Sequence, residues 1–333
     1  MFGRRVKREG GARIPVIAFT GFLGAGKTTL IREFLAQPAG ANTAVIVNEF
    51  GEIGIDQVLL RSSNDNVVLL GNGCVCCRML NDLQETLRAM MVDRARGVIP
   101  SFERIVIETT GLADPVPLLQ TFISDRVLGG DFHLYALICV VDAATLAASL
   151  AEHPEATKQI ILADRVVLSK AELALPEAVE RAVANVRELN PVAPVRQAHQ
   201  GRIDPDFLTE KGTDRRPLLL FAEQVRHRND IVTFPVIFDE PLDWAAFARA
   251  MEMLAAMRGS NLLRVKGLIS VRGCSGPVLV QFVQHLAHAP VELEEWPDAD
   301  HRSRLVFITR NIEPEGVIGL LRAMQRLALP RQS

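Results

Sequence analysis

Three cysteines fall within four residues, in Gly73-Cys74-Val75-Cys76-Cys77. Three soft thiolates suit Zn²⁺ or another thiophilic ion. Alternate residues of an extended segment point the same way, so Cys74 and Cys76 converge, and a turn into a helix starting near Met79 brings Cys77 round. Three ligands are one short of a closed tetrahedral site, which suits delivery or catalysis better than permanent structural support. A redox pair and a buried apolar turn compete with this reading, the second sitting poorly with three thiols between glycines.

A second constellation precedes the cysteines. Gly21-Phe22-Leu23-Gly24-Ala25-Gly26-Lys27-Thr28 fits G-x-x-x-x-G-K-[ST] at every fixed position, after an apolar strand and before the helical run 29–37. Gly21, Gly24, Ala25 and Gly26 let the backbone close around an anion, and the N–H groups through Thr29 point at phosphates. Lys27 reaches the β/γ oxygens, and the Thr28 hydroxyl can ligate Mg²⁺. Arg104-Ile105-Val106-Ile107-Glu108 then ends in an acid, with Gly111 three residues on. Glu108 can hold Mg²⁺ through water or orient an attacking water, and Gly111 can present its N–H to the γ-phosphate.

Val167-Leu168-Ser169-Lys170-Ala171-Glu172 is similar to the [NST]-K-x-D element that reads guanine, with Glu172 one methylene longer than the usual Asp. Ser169 and Glu172 also spell a helix capping box. Residues 48–56, polar, acidic and punctuated by glycine, lie where a first switch would, and Glu49 can approach either the Mg²⁺ or the thiolate site.

The elements that must position these groups are legible as apolar runs at 15–20, 44–48, 67–70, 104–108, 134–141, 165–168 and 193–196, alternating with helical stretches. Continuous apolar strands of this kind imply an α/β fold with a mostly parallel sheet covered on both faces. After a flexible N-terminus at 1–13, this nucleotide-binding domain occupies 14–200. Residues 201–230 read as a polar linker with little secondary structure. Residues 231–327 read as a small α+β domain: a strand at 231–238, a helix at 244–257, strands at 262–271, 278–285, 291–296 and 305–309, and a helix at 314–327.

The 333 residues are 48% hydrophobic and 23% charged, enough apolar content for two cores. A net charge of −2 with 5% aromatic residues speaks against a nucleic-acid partner. The apolar run 14–23 ends in Gly24-Ala25-Gly26-Lys27 with no cleavage site, and no window reaches the length of a membrane helix, so a cytoplasmic protein without a membrane partner is expected. Five cysteines, three of them clustered, make no disulfide framework. Cys139, in an apolar strand, and Cys274, in a turn, receive no function. His285 and His288 are read as packed or surface imidazoles rather than ligands.

Taken in order, GFLGAGKTTL, VNEFGEIGID, GNGCVCC, ETTGLADP and VVLSKAEL resemble the CobW-like family of P-loop GTPases over residues 14–200. The stretches DIVTFPVIFDEPLDW, NLLRVKGLISV, VQHLAHAP and RSRLVFITR extend the resemblance to a CobW C-terminal domain. The resemblance implies a P-loop NTPase fold and a GTP-hydrolysing metallochaperone or insertase. Metal, Zn²⁺ or Co²⁺, would sit on Cys74, Cys76 and Cys77, with GTP and Mg²⁺ on the phosphate loop. Glu108 and Gly111 would lie in the hydrolytic switch, and a client metalloprotein would be the partner. Many members carry a histidine-rich stretch near the domain junction; here only His199 and His227 stand there. A small-molecule kinase and a metal-sensing regulatory protein are the competing classes.

Overall fold

The structure, a computed structural model, describes residues 13–47, 68–71, 79–125, 128–209, 225–226 and 231–328. They divide into two compact units, one within Arg5–Arg187 and Ala193–Lys211 and the other within Gly212–Ser333, to which Glu188–Val192 are also assigned.

The first unit is a seven-stranded sheet in the order β3-β2-β4-β1-β5-β6-β7. The strands are β1 (Ile14–Thr20), β2 (Thr43–Val47), β3 (Val68–Gly71), β4 (Arg104–Glu108), β5 (Phe132–Asp142), β6 (Arg165–Ser169) and β7 (Val195–Gln197). Every pairing is parallel. All five residues of β2 and of β6 are buried, the pattern of strands covered on both faces. The helix Lys27–Leu35 contributes Leu30, Ile31, Phe34 and Leu35 to a core shared with Ile17, Phe19, Val45 and Val106. Burial of each such side chain stabilises by about 1.5–3 kcal/mol, so the helix that follows the phosphate loop is fixed to the central strands.

Two consequences of this order position chemistry. β1 lies between β4 and β5, so the loop after β1 opens at the crevice where the strand order reverses, the usual ligand position of an open parallel sheet. The carboxyl ends are also in register, Glu108 opposite Val47 and Val47 opposite Gly71.

The expectation of a linker over 201–230 needs correction at its start. A helix forms over Pro205–Thr209, and its Leu208 is buried in the core of the first unit. The Phe207 carbonyl accepts from Arg165 Nη1 at 2.6 Å. One apolar side chain and one carbonyl suffice to attach a stretch that composition alone marks as polar.

The second unit is an antiparallel sheet in the order β12-β11-β10-β14-β9-β8, with β13 paired to β11. Its strands are β8 (Val225–Arg226), β9 (Ile231–Phe238), β10 (Leu262–Ile269), β11 (Val278–Val283), β12 (Leu286–Ala287), β13 (Val291–Glu292) and β14 (Ser303–Arg310). The helix Trp244–Arg258 is capped by Asp243, which accepts from the Ala246 N–H at 2.8 Å. Phe247, Met251 and Leu254 of this helix, with Val317 and Leu321 of the helix Pro314–Ala328, pack on Phe234, Val265 and Phe307. The strand expected over 291–296 is only two residues long. Beyond it the chain turns so that Asp298 can take both terminal nitrogens of buried Arg304 at 3.0 Å each. Among the described residues no helix is long and apolar enough to cross a membrane.

Candidate functional site

The phosphate loop is built from backbone that only glycine adopts readily. Gly21, Gly24 and Gly26 have φ of 139°, 71° and 91°. A Cβ on Gly21 would lie 2.1 Å from the Val140 carbonyl oxygen, so the loop leaves β1 pressed against β5. Ala25 between them is buried in the core, and its N–H donates to the Phe22 carbonyl at 3.1 Å. Gly26 serves as N-cap of Lys27–Leu35, so the helix N-terminus opens into the loop. Lys27 is buried, and its Nζ donates to the Gly21 carbonyl at 2.8 Å and to the Phe22 carbonyl at 3.4 Å. Thr29, one residue beyond Thr28, is exposed on the helix.

Glu108 ends β4 beside the loop and is 1% exposed. Thr28 Oγ1 donates to Glu108 Oε1 at 2.8 Å, which joins residues 80 positions apart in sequence. Gly111 follows in a turn that touches the loop. A Cβ there would meet the Leu23 nitrogen at 2.6 Å, so the turn and the loop are in backbone contact.

Ser169 does not cap a helix. Its hydroxyl donates to the Ala25 carbonyl at 2.6 Å and the Val141 carbonyl at 3.1 Å, and the short 3₁₀ turn Ala171–Leu173 has no side-chain cap. The capping-box alternative is thereby removed. Lys170 Nζ bridges the Gly24 carbonyl at 2.7 Å and Asp142 Oδ2 at 2.8 Å. Glu172 Oε1 accepts from the Gln200 N–H at 3.2 Å. The three residues of this element therefore point in different directions: into the loop, across it, and toward the turn after β7.

Several neighbours escaped sequence reasoning. Asp142, at the carboxyl end of β5, had a legible signal as an acid closing an apolar strand. Phe22 stacks on His153, ring centroids 4.3 Å apart, and no spacing in the sequence announces that contact. Gln159 is fully buried and reaches the Gly111 turn from a helix 48 residues away. Cys139 is buried, and burial pushes its thiol up to about 12, the nearby Lys27 ammonium opposing that only in part. It stays a protonated thiol at neutral pH, as befits a small core residue.

Cys74, Cys76, Cys77, Glu49 and His227 lie outside the described residues. Among the described residues, no three His, Cys, Asp or Glu side chains gather in a way that could hold a metal ion. His199 instead closes a tight turn, exchanging backbone hydrogen bonds with Arg202 at 2.9 and 2.8 Å.

Residues 15–197 match the CobW/HypB/UreG nucleotide-binding domain, and residues 231–325 match the cobalamin synthesis protein CobW C-terminal domain. The chain is 35% identical over 312 residues to the zinc chaperone YjiA of Escherichia coli, covering 91% of this chain and 96% of that one. It is 30% identical over 350 residues to the zinc chaperone CobW of Pseudomonas aeruginosa, covering 93% and 91% respectively. The crystal structure of Zn(II)-bound YjiA GTPase superposes with a TM-score of 0.72 at 30% identity, over 94% of this chain and 99% of the other. With both domains matched in order and relatives aligned over nearly their full lengths, the chain belongs to the CobW/HypB/UreG family and carries the CobW C-terminal domain.

Proposed function

We propose that this protein is a GTPase zinc chaperone of the cytoplasm, in which hydrolysis at the phosphate loop is coupled to release of a zinc ion carried by Cys74, Cys76 and Cys77. The zinc is cargo, and its recipient is a metalloprotein whose active form needs it. The names of the relatives favour zinc over cobalt.

The observation that carries the coupling is the register of three strand ends. Glu108, Val47 and Gly71 stand side by side at the carboxyl edge of β4, β2 and β3. At one strand spacing each, Gly71 lies about 10 Å from Glu108. In the sequence Glu49 follows Val47, the last residue of β2, by two positions, and Cys74 follows Gly71, the last residue of β3, by three. Any rearrangement at Glu108 on γ-phosphate binding thus acts on the edge from which the cysteine segment departs.

In this reading the loop N–H groups and the helix N-terminus hold the phosphates, and Lys27 Nζ exchanges its loop carbonyls for β/γ oxygens. The Thr28 hydroxyl and the Glu108 carboxylate are adjacent hard oxygen donors that fit Mg²⁺, which when bound neutralises charge on the transferring phosphoryl group. Gly111 offers its N–H to the γ-phosphate. Lys170, its Nζ on the Gly24 carbonyl and Asp142, packs its stem on the guanine, and Glu172 accepts from the guanine edge.

Phosphate release from GTP with no acceptor present separates this function from a kinase. Within it, Cys76→Ser weakens zinc binding by more than about 10-fold while leaving GTP affinity near wild type. Lys27→Ala abolishes hydrolysis while zinc affinity of the nucleotide-free protein is retained. Competition titration with a chromophoric chelator and a phosphate-release assay read the two variants. Unchanged zinc affinity in Cys76→Ser removes the thiolate assignment, and wild-type turnover in Lys27→Ala removes the phosphate-loop assignment.

A further inference from the structure

The helix Pro154–Leu162 holds the Gly111 turn, and His153 at its N-cap meets the phosphate loop. Gln159 on this helix is fully buried, and its Nε2 donates to the Gly111 carbonyl and to the Ala113 carbonyl, 3.1 Å each. Two carbonyl acceptors fix the orientation of the amide, since the flipped rotamer would set its oxygen against both of them. The Gln159 Oε1 is buried and accepts no hydrogen bond among the described residues. A buried acceptor left so is costly, and here it accompanies the spending of both donors on one turn. Lys158, the preceding residue, pairs with Asp114, whose Oδ1 accepts from the Val116 N–H at 3.0 Å. The ring of His153, just before the helix, stacks on Phe22 of the phosphate loop. Gln159, Phe22 and Leu23 border one small cavity.

The turn so held is the one that carries Gly111. Its backbone packs so closely on the loop that a Cβ at Gly111 would collide with the Leu23 backbone. On the other side its carbonyls are tied to Gln159. The position of the Gly111 N–H is therefore set by contacts to two elements, the phosphate loop and the helix Pro154–Leu162.

We propose that Gln159 is a positioning residue for GTP hydrolysis: its buried amide holds the Gly111–Ala113 turn against the phosphate loop and so fixes where the Gly111 N–H meets a γ-phosphate. Gln159 touches neither nucleotide nor water in this role; it acts through Gly111, and the inference rests on the reading that Glu108 and Gly111 face the γ-phosphate. Misplacement of a reacting geometry by an ångström costs on the order of 10- to 100-fold in rate, whereas most of the phosphate binding comes from the loop N–H groups, the helix N-terminus and Lys27, with the turn adding a single N–H.

The test compares Gln159→Leu, Lys158→Met and Glu108→Gln in the full chain, measuring single-turnover GTP hydrolysis, affinity for a non-hydrolysable GTP analogue, and melting temperature. Gln159→Leu keeps the volume and removes both donors. It is expected to slow hydrolysis by at least about 10-fold with analogue affinity within about 2-fold of wild type. Wild-type turnover in a folded Gln159→Leu protein overturns the proposal, as does a parallel loss of rate and affinity with a lowered melting temperature, which marks a merely structural role. Should Gln159→Leu not fold, Lys158→Met, which loosens the same turn from the surface, is expected to slow hydrolysis with affinity unchanged, and wild-type turnover in it overturns the proposal. Glu108→Gln separates the two levels. Loss of hydrolysis there with a fully active Gln159→Leu sinks the positioning role alone, and full activity of Glu108→Gln sinks the reading of the site and the inference with it.

Discussion

Lys170 adopts a left-handed backbone with φ of 54°, a conformation that costs a non-glycine residue about 1–2 kcal/mol. Its Nζ contacts to the Gly24 carbonyl and Asp142 offset that cost, and the backbone kink sends Ser169 into the loop and Glu172 outward. The extra methylene of Glu172 relative to aspartate lets its carboxylate reach the Gln200 N–H, so the carboxylate is oriented before any base arrives. A carboxylate can accept from two donors on the guanine edge, and adenine offers no equivalent pair. Hydrogen bonds to a charged group contribute about 1.5–3 kcal/mol each, so GTP is expected to displace a labelled GTP analogue at a concentration at least about 10-fold below that of ATP. Glu172→Gln should narrow that gap. Equal competition by ATP and GTP in the wild-type protein would remove the base-reading role of Glu172.

At the scale of elements, the turn that orients Glu172 is a two-residue hairpin. Gln200 and Gly201 both have positive φ, 51° and 78°, the hand of a type I′ turn, and His199 and Arg202 pair across it. The turn rests on the helix Lys27–Leu35: Arg202 Nε pairs with Glu33 at 2.9 Å, and a Cβ on Gly201 would stand 2.8 Å from Thr29 Cγ2. Gly201→Ala is therefore expected to destabilise by about 1–2 kcal/mol, through left-handed strain and displacement of Thr29, and to lower the melting temperature by about 2–8 °C. An unchanged melt would show that the turn can lift off the helix freely. This hairpin also marks where the sequence stops being readable. The strands of the parallel sheet stand out because each is an apolar run, and G-x-x-x-x-G-K-T carries its own context. The hairpin has one residue per arm and no apolar alternation, so residues 201–209 read as linker. His153 and Gln159 join the site only through helix placement, which acts across tens of residues and leaves no local pattern, whereas Asp142 is marked in the sequence as an acid closing an apolar strand.

For the whole molecule, coupling is a thermodynamic statement and can be tested in both directions. If GTP binding changes the grip of the cysteine segment on zinc by some factor, zinc must change the affinity for GTP by the same factor, whichever route connects the sites. Allosteric couplings commonly amount to about 1–3 kcal/mol, or 5- to 150-fold, and the carboxyl-edge register of Glu108, Val47 and Gly71 places the strand ends for such a link within one sheet. Zinc affinity measured by chelator competition on the nucleotide-free, GDP-bound and GTP-analogue-bound protein should therefore differ between the last two by at least about 5-fold. Affinity for the GTP analogue with and without zinc must match the zinc change between analogue-bound and nucleotide-free protein, and the corresponding GDP titrations close a second cycle. Failure of either cycle to close means that the two ligands were not measured on the same states. Closed cycles with equal zinc affinity in the GDP and GTP-analogue forms would leave hydrolysis without leverage over the metal. In that event the nucleotide could time an encounter with a client but could not drive release, because a ligand with the same affinity for two states shifts neither.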